Sequence, residues 1–308
     1  MVERPGAALD NLRGLDVQMF TADIVQPDAI LPVLQGCDVL FHAAGNPKLW
    51  ARPRNEFQLV NAAGTRLVLD SAEKAGVPRV VFTSTESIIG RANGGDVSDE
   101  DTPAGERDMV GAYCLSKFRA EQAALQAVQR GMDVVVVNPT IPVGPGDINV
   151  TPPTRLLLHF LKGRMPAYMD CRLNVVDVRA VAQGHILAWQ KGVCGRRYIL
   201  GDKNMSVLEL LEMMGEICGK KAPRLRVPYG AGLAVAYLSE MVANHVTGRE
   251  PSACVTGVKL TRRMAHLDCS RAIRELGFQP GSIRNALVDA AEWYRERGWI
   301  PKALKAAC

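Results

Sequence analysis

The chain has 308 residues, 47% apolar and 22% charged, which suits a globular protein with a sizeable core and excludes a disordered or fibrous one. Its 37 Lys and Arg against 32 Asp and Glu leave a net charge of +5, and no basic run exceeds two residues, so a dedicated nucleic-acid binder is not expected. Met1 is followed by Val-Glu-Arg-Pro-Gly, not an apolar leader, and no stretch nears the roughly 18 apolar residues of a membrane span. The 8 cysteines (37, 114, 171, 194, 218, 254, 269 and 308) are scattered without a Cys-x-x-Cys pair and read as thiols of a reducing compartment. A cytoplasmic protein is the expectation.

In chain order, residues 16–23 read as a short strand ending on Asp23, and 37–45 as a second whose apolar run stops at small residues. Leu67, Val68 and Ala72 carry helical spacing through 61–75. A third strand spans 77–85 and a fourth 132–139, with a helix at about 111–130 between them. Strands alternating with helices indicate parallel β-α-β units, and the runs Val80-Val81-Phe82 and Val134-Val135-Val136-Val137 fit strands covered on both faces. Past Pro145 the texture changes: a helix at 155–162, short strands at 173–178 and 197–201, and helices at 206–219, 230–246 and 282–297. No repeat or long linker interrupts the chain. The expected fold class is α/β, a doubly wound parallel sheet with a smaller C-terminal lobe.

The chemistry gathers at strand ends. Tyr113 and Lys117 form a Tyr-x-x-x-Lys on the expected helix, and four-residue spacing puts phenol and ammonium on one face. A tyrosine with a pKa of about 10 is a poor base near neutrality, whereas a nearby cation favours the phenolate. Thr83, Ser84 and Thr85 close the preceding strand, where a hydroxyl can hold a substrate oxygen beside the tyrosine. His42-Ala43-Ala44-Gly45 ends another strand with residues small enough for close backbone approach, and Asn138-Pro139 opens a rigid loop. His159, His185 and His245 lack a metal-ligand spacing and read as packing or surface residues, so no metal is expected. Trp50 and Tyr168 suit a pocket floor or the core equally. The Leu-, Ala- and Val-rich stretch 230–243 reads first as lobe core or dimer face, and less directly as a membrane-facing helix.

Taken together, Asp23-Ile24, His42 to Gly45, Asn61-Ala-Ala-Gly-Thr65, Phe82-Thr-Ser-Thr85, Tyr113 to Lys117, Asn138-Pro139 and Ser270-Arg-Ala-Ile-Arg-Glu-Leu-Gly277 resemble an extended short-chain dehydrogenase/reductase of the NAD-dependent epimerase/dehydratase group. Within it, Leu49-Trp50-Ala51-Arg52, the segment 136–147 and Gly163-Arg-Met-Pro-Ala-Tyr168 are most similar to the hopanoid-associated sugar epimerase family. Dihydroflavonol-reductase-like and 3β-hydroxysteroid-dehydrogenase-like members share the scaffold motifs. The resemblance implies a Rossmann-like domain over 1–150 that binds NAD or NADP, and a substrate lobe over 151–308 with 173–201 returning to the sheet.

By the same resemblance, Tyr113 is the catalytic acid/base, Lys117 its modulator and a ribose ligand, Thr85 the catalytic hydroxyl, and Asn61 the helix asparagine that holds the site's geometry. Asp23 and Ile24 flank the adenine, Ala43, Ala44 and Gly45 line the cofactor by backbone, and Pro139 touches the nicotinamide. Arg4 can meet a 2′-phosphate and Thr83 joins the cofactor side, while Thr85, Glu86 and Asn138 face substrate. The substrate is a small molecule, a sugar or a lipid-linked intermediate with an apolar portion; the resemblance also leaves room for a homodimer and a peripheral membrane contact.

The departures are informative. Sugar dehydratases follow the catalytic threonine with Asp-Glu, but Thr85 is followed by Glu86 and Ser87, one carboxylate where dehydration needs two. The stretch 258–266 offers Arg262 and Arg263 without the acid that nucleotide-sugar enzymes carry there. The Gly-x-x-Gly-x-x-Gly turn that cradles a pyrophosphate is not in the sequence, and about 30 residues, one strand-helix-strand unit, are expected ahead of Arg4-Pro5. An internal methionine taken as the start explains this best, since the downstream positions are intact. The rival reading is a truncated paralogue serving as a non-catalytic binding or scaffold subunit, with the strand at 16–23 left without a neighbour.

Overall fold

The computed structural model describes residues 1–92 and 97–301. The first half of the chain runs β1 (Val2–Glu3), β2 (Phe20–Thr21), α1 (Pro27–Leu34), β3 (Leu40–His42), α2 (Thr65–Ala75), β4 (Val80–Thr83), α3 (Gly111–Gln129) and β5 (Val134–Pro139). The second half runs β6 (Ile141–Val143), α4 (Pro152–Leu161), β7 (Ala167–Tyr168), β8 (Arg172–Asp177), α5 (Val178–Lys191), β9 (Arg197–Leu200), β10 (Lys203–Ser206), α6 (Val207–Cys218), β11 (Leu225–Arg226), α7 (Tyr229–Val242), α8 (Val255–Leu260) and α9 (Ile283–Glu296).

The main sheet has the order β3-β4-β5-β9, every pair parallel. Its valine-rich strands are buried on both faces because successive side chains point to opposite sides. Val80, Phe82, Val134 and Val136 meet α2 and α3, where Ala120, Ala123, Ala124 and Ala127 let the helix lie close. Val81, Val135 and Val137 pack instead on Ala180 and Val181 of α5 and on Tyr198. Helices therefore cover both faces, and the fold is a doubly wound, Rossmann-like α/β sheet.

β1 and β2 form a separate parallel pair with Val2 opposite Phe20, so the segment expected to lack a neighbour has one in residues 2–3. Val2 and Ala22 join the core under α1 and α2, which explains why the pair stays seated. On the near side of the main sheet, β3 ends the ladder with Phe41 exposed and set edge-on to Trp189, 6.3 Å between ring centroids.

The expected return of 173–201 to the sheet needs correction in its first part. β8 pairs antiparallel with β10 and parallel with β6, making a second, three-stranded sheet; only β9 lies in the main one, beside β5. The reason is the short step from β5 to β6, which carries the chain off the main sheet before β8 arrives. Behind this second sheet, α4, α6 and α9 build their own core around Leu157, Leu211, Met214 and Tyr294. α6 is closed by a capping box between Ser206 and Glu209 and by Gly219 in the left-handed region at φ 68°.

α7 departs from the lobe-core expectation. Its inward side consists of Gly232 and Ala236, while Val235, Leu238 and Met241 are exposed. Among the described residues no helix is long and apolar enough to cross a membrane, and seven cysteines are free thiols; Cys308 lies outside the described residues.

Candidate active site

The C-terminal ends of β3, β4 and β5 lie side by side, and the start of α3 passes over them. Gly111 begins α3 at φ 72°, and a Cβ there would come within 2.5 Å of the Thr256 hydroxyl; glycine lets the helix start against α8. Two residues on, the Tyr113 ring meets Phe57 edge-on, with centroids 6.3 Å apart. Burial first, then the Glu86 carboxylate, hold the phenol above its ordinary range, while the Thr85 and Ser87 hydroxyls pull it down.

Thr85 sits just past β4. Its Oγ1 donates to Glu86 Oε2 at 3.0 Å, lies 3.1 Å from Ser87 Oγ, and accepts from the Ser87 amide at 3.3 Å, capping the turn Glu86–Ile88. Burial pushes the Glu86 carboxyl up to about 7 against the pull of that threonine hydrogen bond. Tyr113, Thr85, Ser87 and Glu86 thus form one cluster of proton-bearing groups.

Lys117 Nζ donates to the Thr83 carbonyl oxygen at 2.7 Å and lies 5.1 Å from the centre of the Phe82 ring; burial lowers it to about 8. Its ammonium is turned onto the β4 backbone, and the phenol is set first by burial and then by Glu86 and the Thr85 hydroxyl. Asn61 lies in a π-helical turn, Gln58–Gly64, that leads into α2. Its amide donates to Ser116 Oγ at 3.0 Å and to the Asn46 carbonyl at 3.2 Å, and its Oδ1 accepts from the Asn46 amide at 2.7 Å. Ser116 in turn donates to the Tyr113 carbonyl at 2.7 Å, so Asn61 ties the loop after β3 to α3.

Two expected contacts are spent elsewhere. Asn138, expected on substrate, is fully buried, and its amide donates to the Thr85 carbonyl at 3.2 Å and to Glu121 Oε2 at 2.9 Å. The Thr83 hydroxyl lies 2.9 Å from His185 Nε2, whose other nitrogen donates to the Val181 carbonyl at 2.8 Å, so the threonine donates its proton to the imidazole. His42 keeps its packing role: its Nε2 is 2.9 Å from Thr65 Oγ1, and burial lowers it to about 3, leaving it neutral.

Ala43, Ala44 and Gly45 are exposed at the end of β3, with a Cβ on Gly45 coming within 3.1 Å of Asn61 Oδ1. Asp23 Oδ1 accepts from the Val25 amide at 3.1 Å, and Ile24 packs so tightly on the π-turn that a Cβ on Gly64 would meet it at 2.9 Å. Arg4 is exposed and Pro139 half-buried at the end of β5. Tyr168 packs on the second core, and the buried Trp50 Nε1 has no partner. Ser116 and Glu121 escaped the sequence reading, although Glu121 follows Lys117 by one helical turn on the same face, and His185, read as a packing or surface residue, meets Thr83.

Beside Glu86 a cleft opens, walled by Ile89, Leu260, Met264 and Leu267 and carrying Arg172 and Arg263. Leu260 also packs with Tyr113 and Ile88, which joins the cleft to the hydroxyl cluster. A more open cleft at Arg196, Arg271 and Asp101 lies away from these groups, and its charges pair with one another.

The model of the NAD dependent epimerase/dehydratase family matches residues 3–201. A Synechocystis sp. protein provisionally named dihydroflavonol 4-reductase is 40% identical over 301 residues, covering 96% of this chain and 87% of that relative. Sterol demethylase protein B of Methylococcus capsulatus is 32% identical over 295 residues, 96% of this chain and 89% of its own. The crystal structure of gox2253 superposes with a TM-score of 0.85 at 34% identity, covering 97% of this chain and 91% of that one.

Proposed function

We propose, for a chain that belongs to the NAD dependent epimerase/dehydratase family, the oxidation or reduction of a secondary hydroxyl or keto group on a largely apolar, lipid-type substrate. Membership makes it an NAD(P)-dependent oxidoreductase or epimerase, and NAD or NADP its cofactor. The residues present fit the nicotinamide and ribose half of such a dinucleotide: exposed small residues at 43–45, with Tyr113 and Lys117 on one helix face. No glycine-rich turn for the pyrophosphate lies within the 308 residues.

When bound, the cofactor supplies or accepts the hydride. The chain's own part is proton handling. Tyr113 takes the proton from the substrate hydroxyl in oxidation, or returns it in reduction, while Thr85 holds the same oxygen. Burial and the Glu86 charge keep the phenol protonated; the Thr85 and Ser87 hydroxyls oppose that, and below about pH 7, where Glu86 takes up its proton, its repulsion is lost. Lys117, buried and lowered to about 8, supports the ribose side and the β4 backbone. Asn61 and Asn138 hold the helix and the Thr85 carbonyl in place as positioning residues.

The observation that carries the substrate class is the cleft beside Glu86, where Ile89, Leu260, Met264 and Leu267 line an apolar stretch among Ser87, Asn174, Arg172 and Arg263. The Methylococcus relative, a sterol demethylase component by name, supports an apolar substrate of the same kind. A second reading, a sugar epimerase of hopanoid-linked metabolism, draws on Arg172 and on Arg263, which also pairs with Asp108, as basic groups of that cleft. The two readings use the same proton-handling residues. Incubation with a nicotinamide carrying a labelled hydride and a panel of sterol-type ketones and nucleotide sugars separates them. Net cofactor oxidation with the ketones alone supports the reductase; turnover only of nucleotide sugars, with the cofactor unchanged, sinks it.

A further inference from the structure

We propose that the outward face of α7, with the basic segments at its two ends, docks onto an anionic lipid bilayer. The helix is amphipathic in the reverse of the usual sense. Its small residues turn inward: Gly232 lies so near Met169 that a Cβ would come within 2.5 Å of the sulfur, and Ala236 and Ala243 are buried behind it. Val235, Leu238, Met241, Val242 and Val246 fall at helical spacing on the other side and are 46–78% exposed. A helix that keeps its small residues inside and its large apolar ones in water is built to be covered.

Charge identifies what covers it. Over residues 219–250 the chain carries Lys220, Lys221, Arg224, Arg226 and Arg249 against Glu240 and Glu250. Glu250 is taken up by Arg155 at 2.5 Å, and Glu240 is turned inward, accepting from the Val255 amide at 2.7 Å and facing Arg54 at 4.0 Å. Arg226 pairs with Asp170 at 3.2 Å and Lys220 turns in to the Leu161 carbonyl, so Lys221, Arg224 and Arg249 are the exposed cations that carry the charge. Arg224 and Arg226 flank Leu225, itself 66% exposed, just ahead of the helix, and Arg249 follows it. Both ends of the apolar stripe are therefore basic. A second copy of this chain would bring like charge against like charge in either two-fold arrangement, parallel or antiparallel. Anionic headgroups instead meet both ends while the stripe enters the acyl boundary.

The surface is also well placed. α7 packs on α8, Arg262 stacks on the Tyr229 ring at 3.6 Å, and α8 ends in Leu260, a wall of the cleft next to Tyr113. The bilayer contact needs no turnover and stands or falls apart from the substrate proposed above.

Co-sedimentation with vesicles of phosphatidylglycerol and phosphatidylcholine, and with phosphatidylcholine alone, tests it. The wild-type chain is expected on the anionic vesicles only, with binding weakened by added salt; this readout needs no variant. Leu238→Glu and the double reversal Arg224→Glu/Arg226→Glu, both at exposed positions, are each expected to lower the partition about tenfold or more, with the circular dichroism spectrum unchanged. Equal binding to both vesicle types, or none to either, overturns the proposal. So does a concentration-dependent dimer in sedimentation velocity that Leu238→Glu dissolves, since the face would then be a self-interface.

Discussion

At the scale of single residues, the phenol of Tyr113 is held up first by burial and then by Glu86, while the Thr85 and Ser87 hydroxyls across the turn after β4 pull it down. Tyr113→Phe is expected to lower turnover by about 10²–10⁴, the ordinary cost of losing a general base, with thermal stability unchanged. Thr85→Val costs less, because positioning is lost while the proton acceptor stays. Steady-state kinetics on the two variants checks the order; a Tyr113→Phe enzyme with wild-type turnover ends the proposed chemistry. Glu86 belongs to the same cluster and titrates with it. Folded, it holds its proton up to about 7, against 4.5 unperturbed, so the folded state binds more protons through that window. Stability therefore falls as the pH climbs from about 4.5 to about 7, by about 1–3 kcal/mol. Glu86→Gln removes the penalty: it should gain that much in urea denaturation above about pH 7 and nothing below about pH 4. It should also move the pH limb that reports Tyr113 toward acid, since a negative neighbour is gone.

At the scale of elements, the helix bearing Tyr113 was legible before any coordinates, because the expected helix at about 111–130 matches α3 (Gly111–Gln129) nearly to the residue. Its four buried alanines and the valine strand that follows are patterns of local spacing. What α3 starts against was not legible. Gly111 takes φ 72° and faces Thr256, a residue 145 positions later whose proximity no spacing rule encodes. Gly111→Ala should cost about 1–3 kcal/mol through both the backbone conformation and the clash. Thr256→Ala in the same chain should recover the steric share alone, so a double-mutant cycle in urea shows non-additivity; strict additivity would remove Thr256 from the account. The expected helix at 61–75 takes in only the last part of the π-turn at Gln58–Gly64, because a single wide turn is too short to show as a period of its own. α7 shows the opposite limit: its Leu, Ala and Val count suits a lobe core, a dimer face or a membrane-facing helix alike, and composition does not say which face turns inward.

At the scale of the whole molecule, two cores divide the work. The valine sheet between α2, α3 and α5 holds the strand ends at which the chemistry sits, and the second core of α4, α6 and α9 holds the lobe that closes the cleft. Leu211→Ala, fully buried in the second core, should lower stability by about 2–5 kcal/mol and raise KM before it lowers kcat, since it loosens the lobe and leaves Tyr113 and Thr85 in place. Thermal melts with steady-state kinetics check both halves. The dinucleotide is a whole-molecule matter too. Its affinity in such a sheet comes largely from a pyrophosphate resting on a helix N-terminus, and this 308-residue chain carries no glycine-rich turn to provide one. Calorimetry with NAD(H) and NADP(H) should find binding weaker than micromolar; tight binding would mean that another part of the chain holds the phosphates.

The sequence by itself determined the α/β class and the parallel strands, because strand runs and helical spacing are local and survive without contacts, while its resemblance to a known family carried the cofactor and the expectation of Thr85 and Tyr113 at one end of the sheet. Only the tertiary structure decided that β8 leaves the main sheet for β6 and β10, and that Asn138 and Thr83 spend their side chains inward on Glu121 and His185. It decided as well that Lys117 reaches the Thr83 carbonyl and not the phenol. Each of these turns on where a buried polar atom finds its partner, and in a folded chain that partner comes from whichever element packs there, at a sequence distance that no local pattern records.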